Sequence, residues 1–112
     1  MSDLLSKRCI PCEGNVKPLD AAAAKDYLSQ VKDWTLGQDA KSISKEFAFK
    51  DFDETMQFVN AVAELAETEG HHPDMHVYYD RARLELSTHA IAGLSENDFI
   101  LAAKVDEIEK EL

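Results

Sequence analysis

Four histidines, His71, His72, His76 and His89, make up the whole imidazole complement of this 112-residue chain, and all fall within one nineteen-residue stretch. Imidazole is the group whose unperturbed pKa lies nearest neutral pH, so a cluster of them can give a proton to one atom of a substrate and remove one from another. A dehydration needs that combination: one acid for the departing hydroxyl and one base for the proton lost elsewhere. Pro73 drives the residue before it out of the helical region, so His71 and His72 are expected on an extended turn with their rings held apart. His89 ends the run Leu86-Ser87-Thr88-His89 and returns to the same place if the last two strands form a hairpin. Glu67, one helical turn before His71, is spaced to orient an imidazole or to favour its charged form.

Two other readings of the cluster stand beside proton transfer. Three histidines with a carboxylate are a legitimate metal-ligand count, although Pro73 and the strand signal Val77-Tyr78-Tyr79 argue against a helix carrying His72 and His76 on one face. Alternatively the histidines only finish surface turns. His76, beyond the turn, reads as a structural bystander. The chain has no serine nucleophile elbow, phosphate-cradling glycine loop or dinucleotide fingerprint. Cys9 and Cys12 form a single CxxC, open to a redox pair, half a zinc site, or two reduced cysteines in an arm. The last is preferred, because the segment opens no helix after a strand and lacks a nearby second ligand pair.

Around these residues the chain divides into an N-terminal arm, residues 1–17, and one domain, residues 18–112. Asp20 caps an expected helix over Ala21 to Val31. Trp34 to Leu36 pairs as a hairpin with the alternating run Ser42 to Phe49, in which Ile43, Phe47 and Phe49 share one face. Asp51 and Glu54 start a second helix, with Phe52, Met56, Val59, Val62, Ala63 and Ala66 on one face, and Gly70 ends it after Glu69. Met75, Val77 and Tyr79, then Ala82, Leu84 and Leu86, alternate as a second hairpin turning near Asp80 and Arg81. Ser95 and Asp98 cap a last amphipathic helix marked by Leu101, Val105, Ile108 and Leu112. The order helix, two strands, helix, two strands, helix predicts an α+β fold, a four-stranded antiparallel sheet with helices packed on one face. The sheet's other face and edges would then need cover, which favours self-association. Trp34, Phe47, Phe49 and Phe52 read as core.

Twenty-two acidic against twelve basic residues give a formal charge of -10, which works against nucleic acid and anionic membranes, since both require clustered Lys and Arg. Apolar runs are too short to cross a bilayer, and Met1 to Arg8 carries no leader-like apolar stretch. A soluble, cytoplasmic protein is expected.

The spacing Glu67-x-x-x-His71-His72-Pro73, then Tyr79, Ser87-Thr88-His89 and Gly93-Leu94-Ser95-x-x-Asp98 resembles the signature of the pterin-4a-carbinolamine dehydratase family. The resemblance extends to Asp33-Trp34, Phe47-x-Phe49-Lys50-Asp51-Phe52 and Asn60-Ala61-Val62, covering about residues 18–110; the CxxC arm is similar to that of bacterial members. It implies the same α+β fold, assembled as a homodimer or homotetramer. It also implies dehydration of 4a-hydroxytetrahydropterin to quinonoid dihydropterin, in recycling for aromatic amino acid hydroxylases, without metal or organic cofactor.

By position His71, His72 and His89 match that family's catalytic histidines, Glu67 and Asp98 its supporting carboxylates, and His71-His72-Pro73 with Thr88-His89-Ala90-Ile91 its substrate-contacting stretches. The implied division has His71 and His89 exchanging protons with the substrate while His72 orients the ring. Two positions depart: Gly70, where animal members commonly carry an acidic residue, and Met75, where many carry Trp. The alternative from a different class is a regulatory or binding protein of the same fold that acts by protein contact.

Overall fold

The computed structural model describes residues 4–10 and 17–111. Three α-helices, α1 (Ala21–Leu28), α2 (Phe52–Glu69) and α3 (Glu96–Lys110), alternate with two hairpins, β1 (Thr35–Leu36) with β2 (Ile43–Ala48) and β3 (Asp74–Tyr78) with β4 (Arg81–Leu86). The strands form one antiparallel sheet in the order β1-β2-β4-β3, so the two hairpins join through β2 and β4. This is the expected α+β architecture, with all helices on one face.

Register explains the two faces. Ile43, Lys45 and Phe47 lie opposite Leu86, Leu84 and Ala82, and Met75 and Val77 lie opposite Leu84 and Ala82. The apolar members of the two central strands are fully buried against Phe58, Val62, Phe99 and Leu101. Lys45 interrupts that apolar row and is met by Asp106 at 2.9 Å, which also accepts the Trp34 indole N–H at 3.2 Å. The other face carries Ser44 and Glu46, Arg81, Arg83 and Glu85, and Asp74, His76 and Tyr78. Arg81 lies 3.5 Å from Glu46 and covers the Tyr78 ring at 4.1 Å. That face is therefore largely polar. The exposed apolar groups of the sheet sit at the β3 edge and its turn, where Val77, Tyr78 and Tyr79 are 42%, 45% and 70% accessible.

The caps form where Asp residues precede helices: Asp20 Oδ1 accepts the Ala23 N–H and Asp51 Oδ1 the Glu54 N–H, both at 2.8 Å. α1 is shorter than its periodicity suggests. Gln30 and Val31 bond back three residues, to Tyr27 and Leu28, and Asp33 adopts a left-handed φ of 64° that turns the chain into β1. The buried face of α2 is Thr55, Phe58, Val59, Val62 and Ala66; Phe52, expected in the core, is 55% exposed. It is the first residue of the helix, short of the point where α2 lies over the sheet.

α3 is buried on more than one side, from Asn97 through Ala103 and at Val105, because the described part of the arm covers its outer surface. Leu4 belongs to the core at 1% exposure. Cys9 is half-buried, and its N–H donates to Glu69 Oε1 at 2.8 Å. Burial, followed by the negative charge of Glu69, pushes its thiol up to about 12. Cys12 lies outside the described residues.

Candidate active site

α2 delivers the histidine pair through a specific turn. Gly70 takes the left-handed conformation at φ 67°, and the His71 N–H donates back to the Ala66 carbonyl at 3.2 Å, the six-to-one bond of a Schellman ending. A side chain at position 70 would meet no neighbouring atom, so conformation and not space favours glycine there.

β4 delivers the third histidine. Past Leu86 the chain enters a closed loop in which the Thr88 N–H donates to the Gly93 carbonyl at 2.7 Å and Ala92, with φ 52°, ends the 3-10 turn His89–Ile91. Gly93 is needed for close approach: a Cβ there would lie 2.6 Å from Pro18. The loop thus presents His89 at its outer end.

α3 supplies the anchor. Asp98, in the first turn of the helix and fully buried, spreads its two oxygens over three donors. Oδ2 accepts from Thr88 Oγ1 at 2.8 Å and from the Ser95 N–H at 3.0 Å, while Oδ1 lies 2.6 Å from His71 Nε2. With the carboxylate ionised, that contact requires a proton on Nε2, so in the neutral ring the lone pair is on Nδ1. The helix N-terminus favours the negative charge. The His71 side chain is 11% exposed, so this pair is shielded from bulk water.

His71, His72 and His89 line one cavity of about 360 Å³, together with Ser87, Thr88 and Ala90. That volume suits a small bicyclic ligand. Its floor comes from the α2 ending and the β4 extension, and Ile10 and Asn97 contribute from the arm and α3. Glu67 lies outside the cavity lining. Its carboxylate is 3.3 Å from His72 Nε2, with both side chains more than half exposed. The carboxylate that orients His71 is therefore Asp98 and not Glu67, because the Schellman turn carries His71 away from the helix face that holds Glu67. Pro73 and Ile91 do not line the cavity either; Pro73 shapes the turn and Ile91 is buried beneath the loop. His76 lies on the polar sheet face opposite Arg83, away from the site.

Sequence reasoning passed over Ile10 and Asn97. Asn97 had a readable signal, a polar residue between the cap residues Ser95 and Asp98 where α3 meets the core; Ile10 had none beyond its place in the arm. Among the described residues no group of three or more His, Cys, Asp or Glu side chains is arranged to hold a metal ion. No helix among them is long and apolar enough to cross a membrane.

Comparison with known proteins bears on the family and the fold. Residues 17–108 match the family model described as pterin 4 alpha carbinolamine dehydratase. A Halorhodospira halophila protein named "Putative pterin-4-alpha-carbinolamine dehydratase" is 49% identical, the match covering 94% of this chain and 96% of that protein. A protein of the same name from Nitrosomonas eutropha is 52% identical, over 93% of this chain and 91% of its own. Among solved structures, a "transcriptional coactivator/pterin dehydratase" from Brucella melitensis superposes with a TM-score of 0.78 at 29% identity, covering 82% of this chain and 98% of that one. A "pterin dehydratase-like protein" identified as a RuBisCO assembly factor in the alpha-carboxysome gives a TM-score of 0.60 at 27% identity, over 68% and 88%. With a family model spanning most of its length and near-full-length relatives at about half identity, this chain belongs to the pterin 4 alpha carbinolamine dehydratase family.

Proposed function

We propose that this protein is a hydro-lyase that converts a 4a-hydroxytetrahydropterin to the quinonoid dihydropterin and water by histidine acid–base catalysis. The observation that carries the reading is the single cavity lined by His71, His72 and His89, with His71 oriented by a buried carboxylate. The reaction breaks the C4a–O bond, and the oxygen leaves as water after taking one proton. The ring nitrogen beside that carbon gives up its own proton, and the freed electron pair forms the C=N bond. Nothing is oxidised or reduced, so two proton transfers suffice and no metal or organic cofactor is required.

His71 is assigned as the base, through Nδ1, because Nε2 is committed to Asp98. Asp98 then balances the imidazolium that forms, as the carboxylate of an Asp–His pair does elsewhere. His89, exposed at the loop tip, is assigned as the acid for the hydroxyl and regains its proton from solvent. His72 holds the ring. Glu67 supports it from the helix, and Thr88 and Ala90 complete the wall. The protein acts in the cytoplasm, recycling pterin for an aromatic amino acid hydroxylase, and self-associates as a homodimer or homotetramer. The open β3 edge with Val77, Tyr78 and Tyr79 supports the last point.

The deciding experiment is steady-state dehydration of freshly generated 4a-carbinolamine by wild type and by His71→Ala, His72→Ala and His89→Ala. Loss of at least tenfold in kcat/KM for His71→Ala and His89→Ala is expected. A wild-type rate no greater than the uncatalysed one moves the reading to a regulatory or binding protein of the same fold; the carboxysome relative is described as a RuBisCO assembly factor.

A further inference from the structure

We infer that the described end of the N-terminal arm belongs to the binding site: Ile10 forms an apolar wall against which one face of the substrate's bicycle packs, and Asn97 is the positioning residue that holds it there. The inference rests on the dehydratase reading above and assigns to that site two residues outside the histidine motifs.

Ile10 lines the histidine cavity yet is 69% exposed, so its side chain has little to pack on within the described residues. An exposed isoleucine on a loose arm would be unremarkable. This one is fixed in place. The Asn97 amide grips its backbone from both ends: Oδ1 accepts the Ile10 N–H at 3.0 Å and Nδ2 donates to the Ile10 carbonyl at 2.5 Å. Asn97 is itself 4% exposed and stands in the first turn of α3, one residue before the carboxylate that orients His71. A second tether lies one residue back, where the Cys9 N–H donates to Glu69 Oε1 at 2.8 Å; Glu69 Oε2 is held by Lys104 at 2.7 Å. Helices on both sides of the cavity thus hold an apolar side chain at its mouth. The other described lining groups are imidazoles, hydroxyls, small residues and the Asn97 amide. A neutral pterin bicycle has polar edges for those groups and a less polar face that needs a partner, and Ile10 offers it.

The test is steady-state kinetics on freshly generated 4a-carbinolamine, with thermal unfolding measured alongside. Covering about half of the Ile10 side chain with the ring predicts that Ile10→Ala raises KM about tenfold, with kcat within about twofold and the melting temperature unchanged. Asn97→Ala is expected to raise KM similarly. Asn97→Asp, which keeps the acceptor for the Ile10 N–H and loses the donor to its carbonyl, should fall between. Because Asn97 acts through Ile10, the double variant Ile10→Ala/Asn97→Ala should have the KM of either single one and not their product. An unchanged KM for Ile10→Ala in an active protein overturns the inference and leaves the dehydratase reading intact. Fully multiplicative effects overturn the positioning role of Asn97. A wild type with no dehydratase activity removes both readings at once, and is told apart by the wild-type rate alone.

Discussion

Replacing Asp98 by Asn separates the charge at the base of the site from its shape. Asp98 Oδ2 receives two donors, Thr88 Oγ1 and the Ser95 N–H, whereas Oδ1 faces only His71 Nε2. An asparagine that keeps both donors must put its carbonyl oxygen where Oδ2 was. Its NH2 group then occupies the Oδ1 position and points a hydrogen at His71 Nε2, 2.6 Å away in the wild type. Two donors cannot face each other, so Nε2 becomes the acceptor and the ring proton moves to Nδ1. The lone pair assigned to proton removal disappears from that atom. Two of three hydrogen bonds survive and the third loses its ionic character, so the stability cost is about 1–2 kcal/mol. The rate cost is far larger: a wrong tautomer in an Asp–His pair lowers kcat by about 10²- to 10⁴-fold. Dehydration of 4a-carbinolamine gives kcat, urea unfolding gives the stability change, and nitrogen-15 histidine spectra report the tautomer directly. A variant that shows the flipped tautomer and keeps kcat within about threefold of wild type would refute the role of His71 Nδ1. One whose tautomer does not flip would refute the hydrogen-bond argument itself.

Three further outcomes follow from other parts of the molecule. Glu69 sits below the ordinary carboxylate range; burial opposes ionisation, but the Lys104 ammonium and the Cys9 N–H outweigh it. The unfolded chain therefore takes up this proton first as pH falls. Glu69→Gln should cost about 1–3 kcal/mol in urea unfolding at pH 7, and the gap to wild type should narrow as pH drops below 4.5; a gap that widens on acidification would contradict the pairing. Cys9, pushed up to about 12, is almost entirely thiol at pH 8. In a Cys12→Ser background iodoacetamide should modify it about 10³-fold more slowly in the native protein than in urea, and equal rates would show that the arm does not shelter it. Val77→Lys on the β3 edge should lower the mass measured by light scattering if self-association runs through that edge, and an unchanged oligomer would locate the interface elsewhere.

The sequence carries the local decisions well. Asp20, Asp51 and Ser95 each precede a helix, Gly70 ends one, and the alternation in β2 and β4 matches the buried faces because a strand's period leaves no freedom about which residues share a side. Errors arise where a long-range contact decides. The face of α2 is set by where it crosses the sheet, which turns Phe58 inward and leaves Phe52 in solvent. The margin of α3 cannot be read from its own periodicity, because Leu4, far away in sequence, covers what would otherwise be its exposed side. Glu67 looks like the partner of His71 at helical spacing, yet one left-handed residue between them redirects the imidazole to a carboxylate 27 positions later. The histidines that meet at the candidate site stood out because clustering and motif spacing mark them without any geometry. Asp98 and Glu67 were named as supporting carboxylates by the motif, but which histidine each meets was not legible, since a hydrogen bond between a turn and a distant helix leaves no periodic trace.

The first turn of α3 explains why fold and site are hard to separate here. Glu96 accepts from Lys7 Nζ at 2.6 Å and from the Tyr27 hydroxyl at 3.1 Å, tying the arm and α1 to it. Asn97 holds the backbone of Ile10, and Asp98 holds both the Thr88 loop and His71. Three consecutive side chains thus fix four segments, of which the arm, the Thr88 loop and the His71 turn line one cavity, and they do so from a helix terminus whose unpaired N–H groups favour acidic and acceptor side chains. The same residues that start the helix therefore set the positions of Ile10, the Thr88 loop and His71 around the cavity. Substitutions in this turn should alter kinetics before they unfold the protein, because each removes one tether while the buried contacts of Phe99, Ile100 and Leu101 keep α3 in place. Substitutions along the later part of the helix, which touch the core and no site residue, should do the reverse, lowering stability while leaving the KM of the surviving folded protein unchanged.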